Sequence, residues 1–158
     1  MRVLVTGGAG YIGSHTCVEL LAAGHEVFVI DNLSNGHVEV IERVRILSNR
    51  VLGFAEADVR DDVALDCAFA DFNPEAVIHF AGLKAVGESV AKPLRYYDVN
   101  VSGSVSLLKA MDRAGCANIV LSSSATIYGD PEYLPYDEAH PTRPVNPYGR
   151  TPLMVEDI

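Results

Sequence analysis

The chain alternates between short runs of β-branched and apolar residues and longer segments in which apolar residues recur at helical spacing. Short apolar runs bounded by turns predict strands that are buried on both faces of a parallel sheet. Five strands are therefore expected, at Val3–Val5, Glu26–Asp31, Arg50–Glu56, Ala76–Phe80 and Asn118–Ser122.

Helices are predicted between these strands, because the intervening segments carry apolar residues three or four positions apart. They are expected from Tyr11 to about Ala23, over residues 38–47, from Asp61 to Phe69 with Asp61 near the cap, and from Pro93 to Ala114. Residues 129–147 are rich in proline and show little periodicity, so an irregular loop is expected there.

Strands that alternate with helices predict an α/β fold of the Rossmann type, a doubly wound parallel sheet with right-handed crossovers. About five strands are expected, in the order 3-2-1-4-5, with ligand at their carboxyl ends. The 158 residues and the hydrophobic content of 49% suit one globular domain over residues 1–158. No further strand is obvious after the fifth, so this edge is expected to be uncovered and open to pairing.

The net charge of −9 narrows the range of partners. Acidic residues are spread along the chain, which disfavours nucleic acid and anionic membranes. No apolar stretch approaches the roughly 18 residues of a membrane span, and a cytoplasmic protein is expected. Cys17, Cys67 and Cys116 lie far apart without C-x-x-C spacing, so neither a disulfide framework nor a metal site is indicated.

The candidate chemistry begins at a glycine-rich turn after the first strand. Gly8, Gly10 and Gly13 satisfy G-x-G-x-x-G, whereas Gly7, Gly10 and Gly13 satisfy G-x-x-G-x-x-G, and the sequence leaves both registers open. In either register, glycines let the turn close tightly and let the backbone approach a pyrophosphate. The anion would lie on the N-terminus of the first helix, where free N–H groups and the helix dipole bind it without a basic side chain.

An acidic residue ends the second strand. Asp31 follows Gly13 by 18 residues, close to the roughly 20 expected for a carboxylate that hydrogen-bonds the adenosine ribose. Because a carboxylate repels a 2′-phosphate and no arginine is near, NAD is favoured over NADP. The alternative is an aspartate that merely caps the following turn.

Two further loops are weaker candidates. Asp58 and Val59 follow the third strand, where the loop of a doubly wound sheet borders the adenine pocket, although a surface aspartate is an equal alternative. Phe80 to Lys84 follow the fourth strand. Lys84 suits contact with the cofactor or a diphosphate, although lysines in loops are usually only solvated.

Longer strings of residues connect these loops to a known family. They are Thr6–Gly13, Asp31-Asn32-Leu33, Asp58, Ile78–Ser89, Ser122–Gly129 and Asn146–Gly149. Together they resemble the extended short-chain dehydrogenase/reductase superfamily, and within it the match is closest to the UDP-galactose (UDP-glucose) 4-epimerases. The resemblance runs over essentially the whole chain, and the string Ala81–Ser89 is far more discriminating than the glycine pattern.

The resemblance implies a set of site residues and the substrates UDP-glucose and UDP-galactose. The residues that would hold NAD are Gly7, Gly10, Tyr11, Ile12, Gly13, Asp31, Asn32, Leu33, Ser34, Asn35, Gly36, Asp58, Val59, Phe80, Ala81, Gly82, Leu83, Lys84 and Asn100. The residues that would contact the sugar nucleotide are Lys84, Ser124, Thr126 and Tyr148.

The resemblance also implies a reaction. Tyr148 would act as base on the sugar 4-hydroxyl while NAD takes the C4 hydride, and the hydride would return to the other face of the 4-keto sugar. Ser124 would hydrogen-bond the reacting oxygen and relay the proton. A phenol with an ordinary pKa near 10 needs a nearby cation to act as a base at neutral pH, and family members supply a lysine four residues on. Net redox is zero, so NAD stays bound.

The chain departs from the family at Pro152, which stands where the Tyr-x-x-x-Lys motif requires lysine. Proline in a helix interior removes a hydrogen bond and costs about 3 kcal/mol, so the helix after Tyr148 is expected to fray or kink. Arg150 does not substitute for the lysine, because two residues along a helix it points away from Tyr148. Val99 is a smaller departure, since some relatives carry asparagine there.

Family members are longer, so the chain is expected to be an N-terminal half without the substrate domain. Two classes of function follow. One is an isomerase of galactose or sugar-nucleotide metabolism, although the catalytic activity of this chain is expected to be impaired. The other is a non-catalytic fragment that binds NAD. Nucleotide-sugar 4,6-dehydratases are less favoured, since they typically carry Thr-Asp-Glu where this chain has Ser124-Ala125-Thr126. A homodimer through the helix at 93–114 is a further expectation.

Overall fold

The computed structural model describes all 158 residues and contains one five-stranded sheet. Its strands are β1 (Arg2–Thr6), β2 (Glu26–Asp31), β3 (Leu52–Glu56), β4 (Ala76–His79) and β5 (Ile119–Leu121). Every neighbouring pair is parallel, and the order β3-β2-β1-β4-β5 confirms the predicted topology. The carboxyl ends of all five strands therefore meet at one edge of the sheet.

Seven α-helices accompany the strands. They are α1 (Tyr11–Ala22), α2 (Val38–Ser48), α3 (Asp62–Phe72), α4 (Val86–Ala91), α5 (Pro93–Tyr96), α6 (Gly103–Ala114) and α7 (Pro147–Glu156). The predicted cap of α3 is confirmed, since the Asp61 carboxylate accepts the N–H groups of Val63 and Ala64. None of the helices combines the length and the hydrophobicity that crossing a bilayer requires.

The segment 93–114 is helical but is not the single α-helix that periodicity predicted. A π-helical turn, Tyr97–Ser102, separates α5 from α6, and α4 precedes them without having been predicted. The π turn contains Asn100, a buried polar residue whose side chain bonds the main chain of Leu83. An apolar repeat does not register such a turn, because the wider turn shifts the following side chains by only part of a helical period.

The chain divides into two compact units, and the first, residues 1–81 and 105–122, contains the whole sheet. Alternate residues of β1 point to opposite faces, so that Val3 and Val5 lie in one core cluster and Leu4 in the other. The first cluster includes buried residues of α1 and α2, and the second those of α3 and α6. β5 pairs with β4 alone and is the last strand on its side of the sheet, as expected, and its residue Val120 is 62% exposed.

The second unit, residues 82–104 and 123–158, contains α4, α5, the π turn, a 3₁₀ turn at Ala125–Ile127 and α7. Between the 3₁₀ turn and α7 the chain has no regular structure, as predicted. It is nonetheless ordered by its own aromatic residues. Tyr128 and Tyr136 stack with ring centroids 5.0 Å apart, and both rings lie edge-on to the buried His140.

The predicted fraying at Pro152 is wrong. Helix α7 runs through Pro152 to Glu156 and begins at a conventional cap, the Asn146 side chain, which accepts the N–H of Gly149 at 2.8 Å. Proline leaves the carbonyl of Tyr148 without its usual donor four residues on. The Thr151 hydroxyl donates to that carbonyl instead, at 2.8 Å.

The burial pattern predicts that two leucines differ in how much their replacement by alanine lowers the free energy of unfolding. Leu65 in α3 is fully buried, whereas Leu47 in α2 is 73% exposed. We expect Leu65→Ala to lower the free energy of unfolding by about 2–5 kcal/mol, because it removes packed methyl groups and leaves a cavity. The matched variant Leu47→Ala should change it by only about 0.5 kcal/mol. Urea denaturation measures both, and equal losses would contradict this assignment of the core.

Candidate functional site

The glycine turn between β1 and α1 lies directly against the main chain that follows β4. Gly7 has φ +74°, and a Cβ there would lie 2.6 Å from the backbone nitrogen of Ala81. A Cβ on Gly13 would lie 2.3 Å from the carbonyl oxygen of Gly7. Side chains at these two positions would therefore push the turn away from β4 or from α1. The structure thus assigns the first and last glycines to close packing.

The N-terminus of α1 presents unencumbered donors. Gly10 is its N-cap and supplies no capping side chain, and the first turn contains no acidic residue. The first N–H groups of a helix have no partner within the helix, and Tyr11 and Ile12 are largely exposed. The positive end of the helix dipole adds to this donor set. The arrangement suits an anion such as a phosphate.

Asp31 connects the end of β2 to the glycine turn. Its carboxylate is buried, and one oxygen accepts the N–H of Ala9 at 2.9 Å while the other accepts the N–H of Leu33 at 2.8 Å. The second bond is the turn cap that was the alternative interpretation, and it holds Leu33 at φ +55°. A carboxylate has about four acceptor positions, so two remain for ligand hydroxyls.

Asp58 organises the neighbouring loop after β3. It accepts the side-chain amide of Asn32 at 2.8 Å and the guanidinium of Arg60 at 2.8 and 2.7 Å. Hydrogen bonds from Arg60 hold the pKa of the Asp58 carboxyl well below its usual range, so it is an anion at neutral pH. The structure thus brings the loops after β2 and β3 together. Arg60 was not predicted, although the Asp-x-Arg spacing was available as a signal.

A buried polar pair at the ends of β1 and β4 was also missed. The Thr6 hydroxyl lies 2.6 Å from Nδ1 of His79 and accepts the N–H of Ala81 at 3.4 Å. The tautomer of the imidazole decides which of the two groups donates. Burial lowers the pKa of His79 to about 4, so the ring is neutral at neutral pH. The available signal was polar residues at the ends of otherwise apolar strands.

In the second unit, Asn100 holds the loop that follows Ala81. Its side-chain oxygen accepts the N–H of Leu83 at 2.7 Å, and its amide nitrogen donates to the carbonyl of Leu83 at 2.9 Å. The amide thus pairs with both main-chain groups of one residue. Lys84, the next residue, is exposed to solvent. This pairing defines the conformation of the predicted Gly82–Lys84 segment.

Ser124, Thr126 and Tyr148 lie in two packed elements of the same unit. Ser124 caps the 3₁₀ turn, and its Oγ accepts the Thr126 hydroxyl at 2.9 Å. A Cβ on Gly149 would lie only 2.6 Å from the carbonyl oxygen of Thr126, so the start of α7 lies against this turn. The ring of Tyr148 is edge-on to that of Tyr96, with centroids 6.4 Å apart.

The predicted site residues therefore form one group in each unit. The first unit holds Gly7, Gly10, Tyr11, Ile12, Gly13, the segment 31–36, Asp58, Val59, Phe80 and Ala81. The second holds Gly82, Leu83, Lys84, Asn100, Ser124, Thr126 and Tyr148. Hydrogen bonds link Asp31 to the glycine turn, Asn32 to Asp58, and Leu83 to Asn100.

A parallel sheet in this order, with a glycine turn after β1 and a buried carboxylate after β2, defines a Rossmann-type dinucleotide-binding fold. A family model described as GDP-mannose 4,6 dehydratase matches residues 4–158, and the chain belongs to that family. The relatives with high identity are UDP-glucose 4-epimerases, as the resemblance implied. The enzyme of that name from Bacillus subtilis is 57% identical over 158 residues, which are 100% of this chain and 47% of that protein.

Solved structures agree with this assignment. UDP-glucose-4-epimerase from Stenotrophomonas maltophila, with bound NAD and formylated UDP-arabinopyranose, has a TM-score of 0.97 at 48% identity and covers 99% of this chain and 47% of that chain. The Bifidobacterium longum enzyme, in complex with NAD+ and UDP, has a TM-score of 0.98 at 47% identity, with the same coverage. The chain thus spans about half the length of the relatives it matches.

The buried imidazole of His79 predicts a pH dependence of stability. Its folded-state pKa of about 4 lies below the ordinary 6.5, so the unfolded chain binds the proton more readily. The contribution of the neutral imidazole to the free energy of unfolding should be fully present above pH 6.5. It should fall by about 3 kcal/mol as the pH drops toward 4. His79→Asn, which can still accept the Thr6 hydroxyl, should flatten this slope in urea titrations.

The control for this prediction is His15→Gln, because His15 is exposed. It should leave the slope between pH 6.5 and 4 unchanged. The Asp58 carboxylate, whose pKa is lowered from an ordinary 3.8, loses most of its contribution below this window, and the contributions of carboxylates are common to wild type and His79→Asn. An unchanged slope in His79→Asn would refute the role of the buried imidazole.

Proposed function

We propose that the chain binds NAD and forms the cofactor-binding part of a UDP-glucose 4-epimerase, and that Pro152 prevents turnover by the chain itself. The observation that carries the cofactor proposal is the hydrogen bond between the Asp31 carboxylate and the N–H of Ala9. It joins a hydroxyl acceptor to the turn that precedes the N-terminus of α1. A diphosphate at the helix N-terminus and a ribose diol at the carboxylate would then have partners in connected parts of the chain.

The residues present fit a dinucleotide. A Cβ on Gly10 would meet a single atom within 4 Å, the carbonyl oxygen of Gly7 at 3.2 Å, so the N-cap of α1 has open space around it. No acidic side chain in the first turn opposes an anion. The Asp31 carboxylate retains acceptor positions and would repel a 2′-phosphate. NAD is therefore proposed rather than NADP.

The remaining roles follow the family resemblance. Bound NAD would supply a reversible hydride transfer at C4 of the sugar. Gly7 and Gly13 would let the backbone approach the diphosphate, with Tyr11 and Ile12 beside it, and Asp31 would bind the adenosine ribose along the loop to Gly36. Further proposed contacts are Asp58 and Val59 at the adenine, and Phe80, Ala81, Gly82, Leu83, Lys84 and Asn100 along the other half of NAD.

Tyr148 is the proposed base, and Ser124 with Thr126 would bind the reacting oxygen. The hydrogen bond between the Ser124 and Thr126 hydroxyls supports a proton relay, since each hydroxyl can donate and accept. Position 152 lies one helical turn after Tyr148 and on the same side of α7. Proline there supplies no charge that would favour the phenolate. We therefore propose a chain that holds NAD without epimerising a sugar.

The class of substrate is proposed from the ligands of the solved relatives, and a homodimer is proposed as the oligomeric state. Relatives crystallised with UDP or a UDP-sugar support a UDP-hexose as substrate. Ser124-Ala125-Thr126 at the end of β5 favours epimerisation over the dehydration named in the family description. A homodimer through the helical segment 93–114 is proposed because Leu94 is 83% exposed at its start. A cytoplasmic location is also proposed.

Cofactor binding is tested by calorimetry on the purified chain. We expect NAD and ADP-ribose to bind and NADP to bind at least tenfold more weakly, about 1.4 kcal/mol, because Asp31 repels the added phosphate. Gly10→Ala should weaken NAD binding by placing a methyl group at the anion site. Because that methyl group would also lie 3.2 Å from the carbonyl oxygen of Gly7, circular dichroism is used to show that the variant is folded. Gly87→Ala is the matched control, since a Cβ there meets nothing within 4 Å. No NAD binding by the folded wild-type chain would overturn the proposal.

Turnover is tested by the conversion of UDP-galactose to UDP-glucose with added NAD. We expect the wild-type chain and Tyr148→Phe to give the same background, because Tyr148 lacks its cationic partner. Wild-type conversion above that background would contradict the proposed loss of catalysis. Conversion that appears in Pro152→Lys alone would locate the defect at residue 152.

A further inference from the structure

Pro152 creates a local problem that the structure solves with a side chain. Within α7, the carbonyl of Tyr148 would ordinarily accept the N–H of residue 152, and proline has none. A buried carbonyl left without a donor costs about 1–3 kcal/mol. The Thr151 hydroxyl lies 2.8 Å from that carbonyl and donates to it. Thr151 itself is completely buried.

The same hydroxyl also accepts a hydrogen bond. The side-chain amide of Asn100 donates to Thr151 Oγ1 at 3.0 Å, and it donates its other proton to the carbonyl of Leu83 at 2.9 Å. Each hydroxyl has one proton, and accepting from Asn100 leaves that proton directed at Tyr148. The hydrogen bonds from Asn100 through Thr151 to Tyr148 therefore run in a single direction, and each donor has an acceptor.

The π-helical turn belongs to this arrangement. Asn100 lies in the turn, and its own carbonyl accepts the Ser104 hydroxyl at 2.6 Å. The ring of Tyr96 is edge-on to that of Tyr148, and the Tyr96 hydroxyl is held by the main chain of Ala85 at 2.8 and 3.0 Å. Tyr148 is thus restrained through its backbone by Thr151 and through its ring by Tyr96.

We propose that Thr151 is a positioning residue for Tyr148, and that its hydroxyl is what makes Pro152 compatible with an unbroken α7. This inference rests on the proposed function only for the role of Tyr148 as the base. The restraint itself is a property of the chain without any ligand. It follows that the contribution of the Thr151 hydroxyl depends on which residue occupies position 152.

A double-mutant cycle tests that dependence. Thr151→Val keeps the shape of the side chain but removes the hydroxyl, and Pro152→Ala restores the main-chain donor to the carbonyl of Tyr148. We expect Thr151→Val to lower the folding equilibrium constant about tenfold beside Pro152, but only about threefold beside alanine. Thr151→Ser is the matched control and should stay within about twofold of wild type.

Equal losses in the two backgrounds, including failure of both Thr151→Val chains to fold, would overturn the proposal. Folding of the double variant alone would support it, because it shows that the hydroxyl is needed only beside proline.

The role of Thr151 in positioning the ring of Tyr148 is tested separately, by nuclear magnetic resonance. In nuclear magnetic resonance spectra of the chain with labelled tyrosines, assigned with Tyr148→Phe, cross-relaxation should connect the rings of Tyr148 and Tyr96. We expect this signal to be lost in Thr151→Val and retained in Thr151→Ser. Its retention in a folded Thr151→Val chain would overturn the positioning role. No NAD or sugar nucleotide is present in these measurements, so their outcome is independent of whether the proposed function fails.

Discussion

The candidate site in the first unit depends on the close approach of Gly7 to the main chain of Ala81, where even a methyl group would lie 2.6 Å from a backbone nitrogen. This approach sets the position of the turn, and through it the direction of α1. The Thr6 hydroxyl reinforces it, because it contacts both His79 and the N–H of Ala81. The N-terminus of α1 and the end of β4 are therefore held together without a ligand.

Two carboxylates, those of Asp31 and Asp58, are held in fixed positions by hydrogen-bond donors of the protein. Asp31 uses two of its acceptor positions on main-chain N–H groups, which makes it both a structural cap and an available hydroxyl acceptor. Asp58 is held as an anion by Arg60 and in turn holds Asn32. Each of these carboxylates is thus held by protein donors, which would lower the entropy cost of binding the proposed cofactor.

In the second unit, neutral side chains are likewise held in place by hydrogen bonds within the protein. Asn100, Thr151 and Leu83 form a buried network in which every donor has an acceptor, and the network ends on the carbonyl of Tyr148. A half-satisfied network of this kind would be less stable than an apolar core. The persistence of α7 through Pro152 therefore reflects one hydroxyl at the correct place rather than a tolerance of helices for proline.

Periodicity and spacing alone determined the five parallel strands, their order, the bounds of β2, the cap at Asp61 and the glycine turn with its acidic partner. These features are local or follow from the handedness of crossovers, so they leave a regular trace in the residue order. The tertiary structure decided the π turn around Asn100, the Thr6–His79 pair and the continuity of α7. The hydrogen bonds between Thr6 and His79 and between Asn100 and Thr151 join residues 73 and 51 positions apart. Pairings at such distances have no periodic signal, because only packing brings the two partners together.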